Sequence, residues 1–303
     1  IFIVTNESYA DLVKEQLPEL SDKQILLEPQ RRNTAPCVAW AAYHIQALNP
    51  KANIVVAPSD HVILKEEEFG RCLLKGLQFV EKYPALLTLG IKPNRPETGY
   101  GYIQVGEDAE EEIKTVKTFT EKPSLEFAKV FVESGEFFWN SGIFIWNVQS
   151  IIKAFQRHLP DISNRFEAGI DKFGTEEEMS FINENFAACP NISIDFGIME
   201  KASNVFVLCS DFGWSDLGTW SALYDHSPKN SDGNVTQNCK ALTYECKNNV
   251  VAVQGDKLVV MEGLNDYIVA EADNVLLICP KSDEQRIKQF VTDTKMKYGD
   301  EFI

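Results

Sequence analysis

The chain has 303 residues, 44% of them apolar, and its 45 acidic side chains outnumber 29 basic ones for a formal net charge of −16. That size buries a full core and allows two domains, one large and one small, while the acidic balance excludes a nucleic-acid partner, whose phosphates need clustered Lys and Arg. Seven cysteines without a C-x-x-C pair read as reduced thiols, not as a disulfide framework or a zinc site, and no apolar run approaches the roughly 20 residues of a membrane-spanning helix.

The elements alternate from the start. Ile1-Phe2-Ile3-Val4-Thr5 is a strand-like run with no initiating Met and no signal peptide, so the chain reads as cytoplasmic and as trimmed at its amino end. A helical stretch around Ser8–Gln16 and a short strand at Ile25–Glu28 follow. Asn33-Thr34-Ala35-Pro36 supplies a helix start, a capping side chain followed by Pro in the first turn. Val38, Ala41, Ile45 and Leu48 continue it as an apolar stripe with helical spacing. Val55-Val56-Ala57 is a buried strand type, a helix runs from about Glu66 to Tyr83, and Ala85–Ile91 is another strand. This alternation predicts an α/β fold with a mixed, mostly parallel Rossmann-like sheet and helices on both faces.

The texture changes after about Ser227. Val250–Val253, Lys257–Met261, Tyr267–Ala270 and Val275–Cys279 are short β runs separated by turn residues, which predicts a small β-rich unit. The boundary is drawn between a domain of residues 1–228 and one of residues 229–303. No internal repeat is visible in it. Ser282-Asp283-Glu284-Gln285 has the pattern of a capping box, with Ile287, Phe290 and Val291 as the apolar face of a last helix. The acid runs Glu66-Glu67-Glu68, Glu110-Glu111-Glu112 and Glu176-Glu177-Glu178 read as solvated helix faces or turns.

Three charged residues close strand-like runs: Asp60 after Ile54–Ser59, Lys122 after Thr118–Glu121, and Asp216 after Phe212–Ser215. Open α/β sheets bind ligands beyond the carboxyl ends of their strands. Two acids able to hold a divalent cation, with a lysine able to meet a phosphate, point to phosphoryl or nucleotidyl transfer. The plainer readings are turn anchors for the two aspartates and an exposed strand end for Lys122, with Glu121 as its cross-strand partner. His61 reads as a structural hydrogen-bonding side chain, because Mg²⁺ favours oxygen donors. Trp214 and Trp220 read as core or wall, and Cys37 and Cys279 as small buried hydrophobes. Glu97-Thr98-Gly99-Tyr100-Gly101-Tyr102 and Trp139-Asn140-Ser141-Gly142 are glycine-containing turns where backbone can approach a ligand closely.

The order of these motifs resembles the sugar-nucleotide pyrophosphorylases, specifically the bacterial mannose-1-phosphate guanylyltransferases. The resemblance runs through Glu28-Pro29-Gln30-Arg31-Arg32-Asn33-Thr34-Ala35-Pro36, Pro58-Ser59-Asp60-His61, Glu97 to Ile103 and Glu121-Lys122-Pro123. It continues through Trp139-Asn140-Ser141-Gly142, Ser193-Ile194-Asp195-Phe196, Met199-Glu200-Lys201 and Gly213 to Trp220. It implies a GT-A-like nucleotidyltransferase sheet and the formation of GDP-mannose and pyrophosphate from GTP and mannose 1-phosphate. By position, it implies that Asp60 and Asp216 hold Mg²⁺ and that Lys122 binds the sugar phosphate. It further implies that Glu121, Asn140 and Gly101 contact the sugar, and that the segment Glu28 to Thr34, with Glu28, Pro29, Asn33 and Thr34, recognises guanine and ribose.

The family's opening G-x-G-T-R-L-x-P loop is not in these residues. A chain without it is expected to be catalytically impaired, because such a loop is the natural anion site of the fold. The resemblance also leaves open a homodimer formed through the small β unit. Another hexose 1-phosphate or nucleoside triphosphate as substrate is the first alternative. A non-catalytic paralogue that binds a sugar nucleotide is the second, and it would have no need for both aspartates.

Overall fold

The computed structural model describes residues 1–302. Contacts divide the chain into two units, Ile1–Ser59 with Leu64–Phe212, and Asp60–Ile63 with Gly213–Ile303. The first unit opens with β1 (Ile3–Asn6), α1 (Ala10–Gln16) and β2 (Ile25–Glu28), followed by α2 (Thr34–Leu48) and β3 (Asn53–Val56). After β4 (Val62–Ile63), which belongs to the second unit, come α3 (Glu66–Lys82), β5 (Leu86–Ile91), β6 (Gly101–Glu110) and β7 (Ile113–Glu121). Then follow α4 (Leu125–Ser134), β8 (Phe137–Asn147), α5 (Val148–His158), α6 (Pro160–Glu167), α7 (Glu178–Asn185) and β9 (Val205–Ser210).

β1 and β2 pair in parallel, and the larger sheet runs β3-β8-β5-β9-β7-β6. Strands β3, β5, β9 and β6 run one way, while β8 and β7 reverse. The fold is therefore mixed α/β, as the alternation predicts. Because β8 inserts between β3 and β5, the ladder from β5 to β9 is parallel but those flanking it are antiparallel.

Alternation along the strands assigns the faces. Phe144 and Trp146 of β8 join the core formed with α2, α5, α6 and α7. Ile145, between them, points the other way, to Gly76 of α3, and Phe79 of α3 packs edge-on against Phe206 of β9, ring centres 5.2 Å apart. Helix α2 forms where its cap and stripe predict it, with Asn33 as the capping residue. Its buried face carries Trp40, Tyr43 and His44.

One acid run is solvated only in part, Glu176 and Glu177 being exposed. Glu178 is buried, accepting hydrogen bonds from Trp40 Nε1 at 2.7 Å and from the backbone of Gly174 at 2.7 Å, and it pairs with His44 Nδ1 at 2.8 Å. Burial alone would raise its pKa, but the bonds from His44, Gly174 and Trp40 outweigh it and hold the carboxyl below its ordinary value. The other two runs behave as expected. Glu66, Glu67 and Glu68 occupy the first turn of α3, where the helix dipole favours them. Glu110-Glu111-Glu112 turns the β6–β7 hairpin, with Arg71 and Lys75 of α3 bonded to it.

The second unit contains β4 and β10 (Trp214–Ser215), an antiparallel pair, and α8 (Trp220–His226). Beyond them lie β11 (Val235–Gln237), β12 (Lys240–Tyr244), β13 (Val250–Ala252), β14 (Leu258–Glu262), β15 (Tyr267–Ala272), β16 (Val275–Pro280) and α9 (Ile287–Tyr298). The β-rich unit is repetitive after all. Val235 lies beside Val250 and Val250 beside Ile268, while Lys240 lies beside Leu258, all in parallel. Successive turns of one coil thus stack like a parallel β-helix, with β16 added antiparallel at the end. Cys246, Val251, Val253, Met261 and Val269 fill its interior. An asparagine ladder satisfies the turn backbone: Asn249 donates to Asn234 Oδ1 and to the Leu264 carbonyl, and accepts from the Tyr267 N–H.

The last helix departs from the sequence expectation. Residues Lys281–Arg286 form a 3₁₀ segment and α9 begins at Ile287 without a side-chain cap, while Glu284 accepts the Ser221 N–H at 2.9 Å. Ile287 and Phe290 pack inward, whereas Val291 is exposed.

Candidate functional site

In the first unit the sugar-side candidates converge. Gly101 opens β6 and lies directly across the ladder from Glu121, which closes β7. A Cβ on Gly101 would fall 2.5 Å from Glu121 Oε2 and 3.5 Å from Asn140 Cβ, so a larger residue there would make the end of the Glu121 side chain move. Lys122 follows β7 with a left-handed backbone, φ 48°, and its Nζ donates to Glu121 Oε1 at 2.8 Å. Such a φ costs a non-glycine residue about 1–2 kcal/mol and is characteristic of positions whose geometry serves a site. Glu121 is thus the adjacent partner of Lys122 rather than a cross-strand one.

Asn140 sits in β8 with its amide committed on both ends. Its Oδ1 accepts from Thr88 Oγ1 at 3.1 Å and from the Gly142 N–H at 3.2 Å, and its Nδ2 donates to Asp195 Oδ1 at 2.8 Å. Asp195 opens a π-helical turn, Asp195–Met199, a backbone form common at functional sites. Burial, and then the neighbouring charge of Glu121, push the Asp195 carboxyl up to about 6, against the opposing hydrogen bond from Asn140. Glu200 is raised by burial first and then by Glu121 and Asp195. In the sequence Asp195 stands out only as one member of a motif. Its neighbours Asn140 and Glu121 are remote in the chain, and a strand pattern gives no sign of that meeting.

The base-side candidates occupy the connection from β2 to α2. Glu28 closes β2, buried, and burial raises its pKa while a hydrogen bond from Cys37 opposes the shift. Pro29 follows it, half-buried. Asn33, exposed and left-handed at φ 64°, accepts the Thr34 N–H at 2.9 Å and caps α2. Thr34 Oγ1 accepts the Ile194 N–H at 2.9 Å, and the Ala35 N–H donates to the Ile192 carbonyl at 3.1 Å.

The aspartates belong to the second unit. Asp60 lies in the connection from β3 to β4, not on a strand end, with its carboxylate 84% exposed. Asp216 directly follows β10, and its Oδ1 accepts the Gly218 N–H at 2.9 Å. The β4–β10 ladder sets Val62 against Ser215 and Ile63 against Trp214, which brings the flanks carrying the two acids together. Leu217, just beyond, is left-handed at φ 50°. His61 accepts the Trp214 indole N–H on Nδ1 at 3.0 Å. Indole nitrogen only donates, so the imidazole carries its proton on Nε2, and that nitrogen lies 3.8 Å from Asp60 Oδ1. Among the described residues no group of three or more His, Cys, Asp or Glu side chains is placed to hold a metal ion. Two carboxylates completed by water are nonetheless the donor set that Mg²⁺ favours, so the aspartate pair fits that ion.

Comparison with known proteins places the chain. The nucleotidyl transferase family model matches residues 1–233. A mannose-1-phosphate guanylyltransferase 2 from Escherichia coli O157:H7 is 36% identical over 99% of this chain and 64% of its own length. A mannose-1-phosphate guanylyltransferase from Sinorhizobium fredii is 36% identical over 91% of this chain and 54% of its own. The chain thus spans less than two thirds of these curated relatives. A crystal structure of a mannose-1-phosphate geranyltransferase from Thermus thermophilus superposes with a TM-score of 0.82 at 27% identity, covering 97% of this chain and 84% of that one. No helix among the described residues is long and apolar enough to cross a membrane. With sequence match and fold in agreement, the chain belongs to the nucleotidyl transferase family.

Proposed function

We propose that this protein joins GTP and mannose 1-phosphate into GDP-mannose and pyrophosphate. A phosphate oxygen of the sugar attacks the α-phosphorus of GTP, the bond from that phosphorus to the oxygen bridging to Pβ breaks, and pyrophosphate leaves. The observation that supports this reading best is the gathering of Gly101, Glu121, Lys122 and Asn140 at adjoining strands. These are the residues at which a sugar phosphate needs a cation, hydrogen-bonding groups and room.

Lys122 would meet the phosphate, and Glu121 and Asn140 the sugar hydroxyls. Glu28, Pro29, Asn33 and Thr34 would frame the guanine and ribose of GTP. Asp60 and Asp216 would hold Mg²⁺, which when bound supplies positive charge that offsets the repulsion between two anionic reactants. The protein would work in the cytoplasm, where its seven unpaired thiols stay reduced. Leu242, Leu258 and Val260 stand exposed on the outer face of β12 and β14, an apolar patch suited to a homodimer contact.

A substrate panel tests the reading. In an enzyme that carries the family's opening loop, pyrophosphate release is expected with GTP and mannose 1-phosphate at least tenfold above that with other hexose 1-phosphates or nucleoside triphosphates. Equal or greater turnover with another pair would replace mannose or GTP in the assignment.

A further inference from the structure

Between the base-side and sugar-side residues of the first unit runs a strap, Ile192–Asp195, that neither role absorbs. At one end it is tied to the start of α2 by two bonds, Ile194 N–H to Thr34 Oγ1 and Ala35 N–H to the Ile192 carbonyl. At the other, Asp195 holds Asn140 Nδ2, and Asn140 Oδ1 in turn holds Thr88 and the Gly142 N–H. Gly197 is packed against Leu159, and a Cβ there would fall 2.6 Å from Leu159 Cδ1. That contact leaves the π-turn behind Asp195 little room to shift. Hydrogen-bonded chains with discrete arrangements are the physical means by which one site feels another.

We propose that Asp195 is a positioning residue and that the strap carrying it couples the nucleotide subsite at Thr34 to the sugar-phosphate subsite at Asn140. Filling the first subsite fixes Thr34 and, through Ile194 and Asp195, locks the Asn140 amide in the orientation that receives the sugar. The coupling rests on the proposed function for its substrates, but its wiring does not.

The test uses Thr34→Val, which removes the acceptor for the Ile194 N–H, and Asp195→Ala, which frees the Asn140 amide. Thr34→Ser and Asp195→Asn, which keep the acceptors, are the controls. In kinetics, Thr34→Val is expected to raise the KM for mannose 1-phosphate at least threefold, and Asp195→Ala to raise the KM for GTP by a similar factor, while each conservative variant brings the KM of the distant substrate back to within twofold of wild type. A residue that merely holds the fold would lower Tm and the active fraction without moving the distant substrate's KM. Effects confined to each variant's own subsite would overturn the coupling. Hydrogen exchange without substrate is an independent readout: Thr34→Val should speed exchange severalfold in peptides carrying Gly142, and an unchanged Gly142 would sink the proposal. Inactivity toward GTP and mannose 1-phosphate of an enzyme that carries the family's opening loop would refute the proposed function, while the exchange result still decides the strap.

Discussion

At Lys122 the backbone and the charge make opposite demands. Its left-handed φ of 48° would suit glycine, whose substitution at such a position typically gains about 0.5–1 kcal/mol when no other contact is lost. The proposed phosphate role gives the lysine ammonium a purpose there. Lys122→Gly is therefore expected to raise Tm by a few degrees while raising the KM for mannose 1-phosphate at least tenfold, as measured by thermal denaturation and steady-state kinetics. A variant with an unchanged KM would remove Lys122 from the phosphate role.

Asp195 makes a pH prediction. Its carboxyl is held up at about 6, above the value in an unfolded chain, so the native state binds a proton that the unfolded state has released. The associated stability is fully present below about pH 4 and is lost as pH rises through about 6, a change of about 2–3 kcal/mol. Asp195→Asn should flatten that part of the Tm-versus-pH curve, and an unaltered slope between about pH 4 and 6 would contradict the shift. Lys122 could be singled out as a candidate from its place beside a strand-like run. The surroundings of Asp195 could not be read there, because burial and proximity to Glu121 arise only from folding.

At the scale of elements, the junction of α2 with α7 depends on one carboxylate. Glu178→Ala would leave Trp40 Nε1, His44 and the Gly174 N–H facing a cavity, and a loss of about 3–5 kcal/mol is expected in chemical denaturation. A loss under about 1 kcal/mol would mean that water replaces the side chain. In the second unit, Asn249→Ala deprives the Tyr267 N–H and the Leu264 carbonyl of their partner inside the coil, at about 2–3 kcal/mol. Helix α2 was legible because its cap and stripe are local features. Glu178 was not, since an acid in a run of three looks solvated and its partners Trp40 and His44 lie far back in the chain. The coil was legible as β structure but not as a repeat, because its turns differ in length, and what recurs is a buried apolar position with no fixed motif. Which strands of the mixed sheet reverse was hidden for a related reason. β8 enters between β3 and β5, and no local pattern tells a strand which neighbours it will have.

Over the whole molecule, an acidic protein is proposed to bring together two anions. A net charge of −16 repels both reactants at long range, so the proposed reaction calls for concentrated positive charge, which Lys122 is proposed to supply to the sugar phosphate and a cation at Asp60 and Asp216 to the reactants' phosphates. The two aspartates are then useful only when metal is bound, since without it they add to the repulsion. Turnover should accordingly be metal-dependent. The decisive measurement is pyrophosphate release from GTP and mannose 1-phosphate, titrated with Mg²⁺, in wild type and in Asp60→Ala and Asp216→Ala. No turnover is expected without metal, and each variant should lose at least a hundredfold at the Mg²⁺ concentration that saturates wild type. Wild-type rates in either variant, or full turnover in the presence of a chelator, would contradict the role given to the aspartate pair.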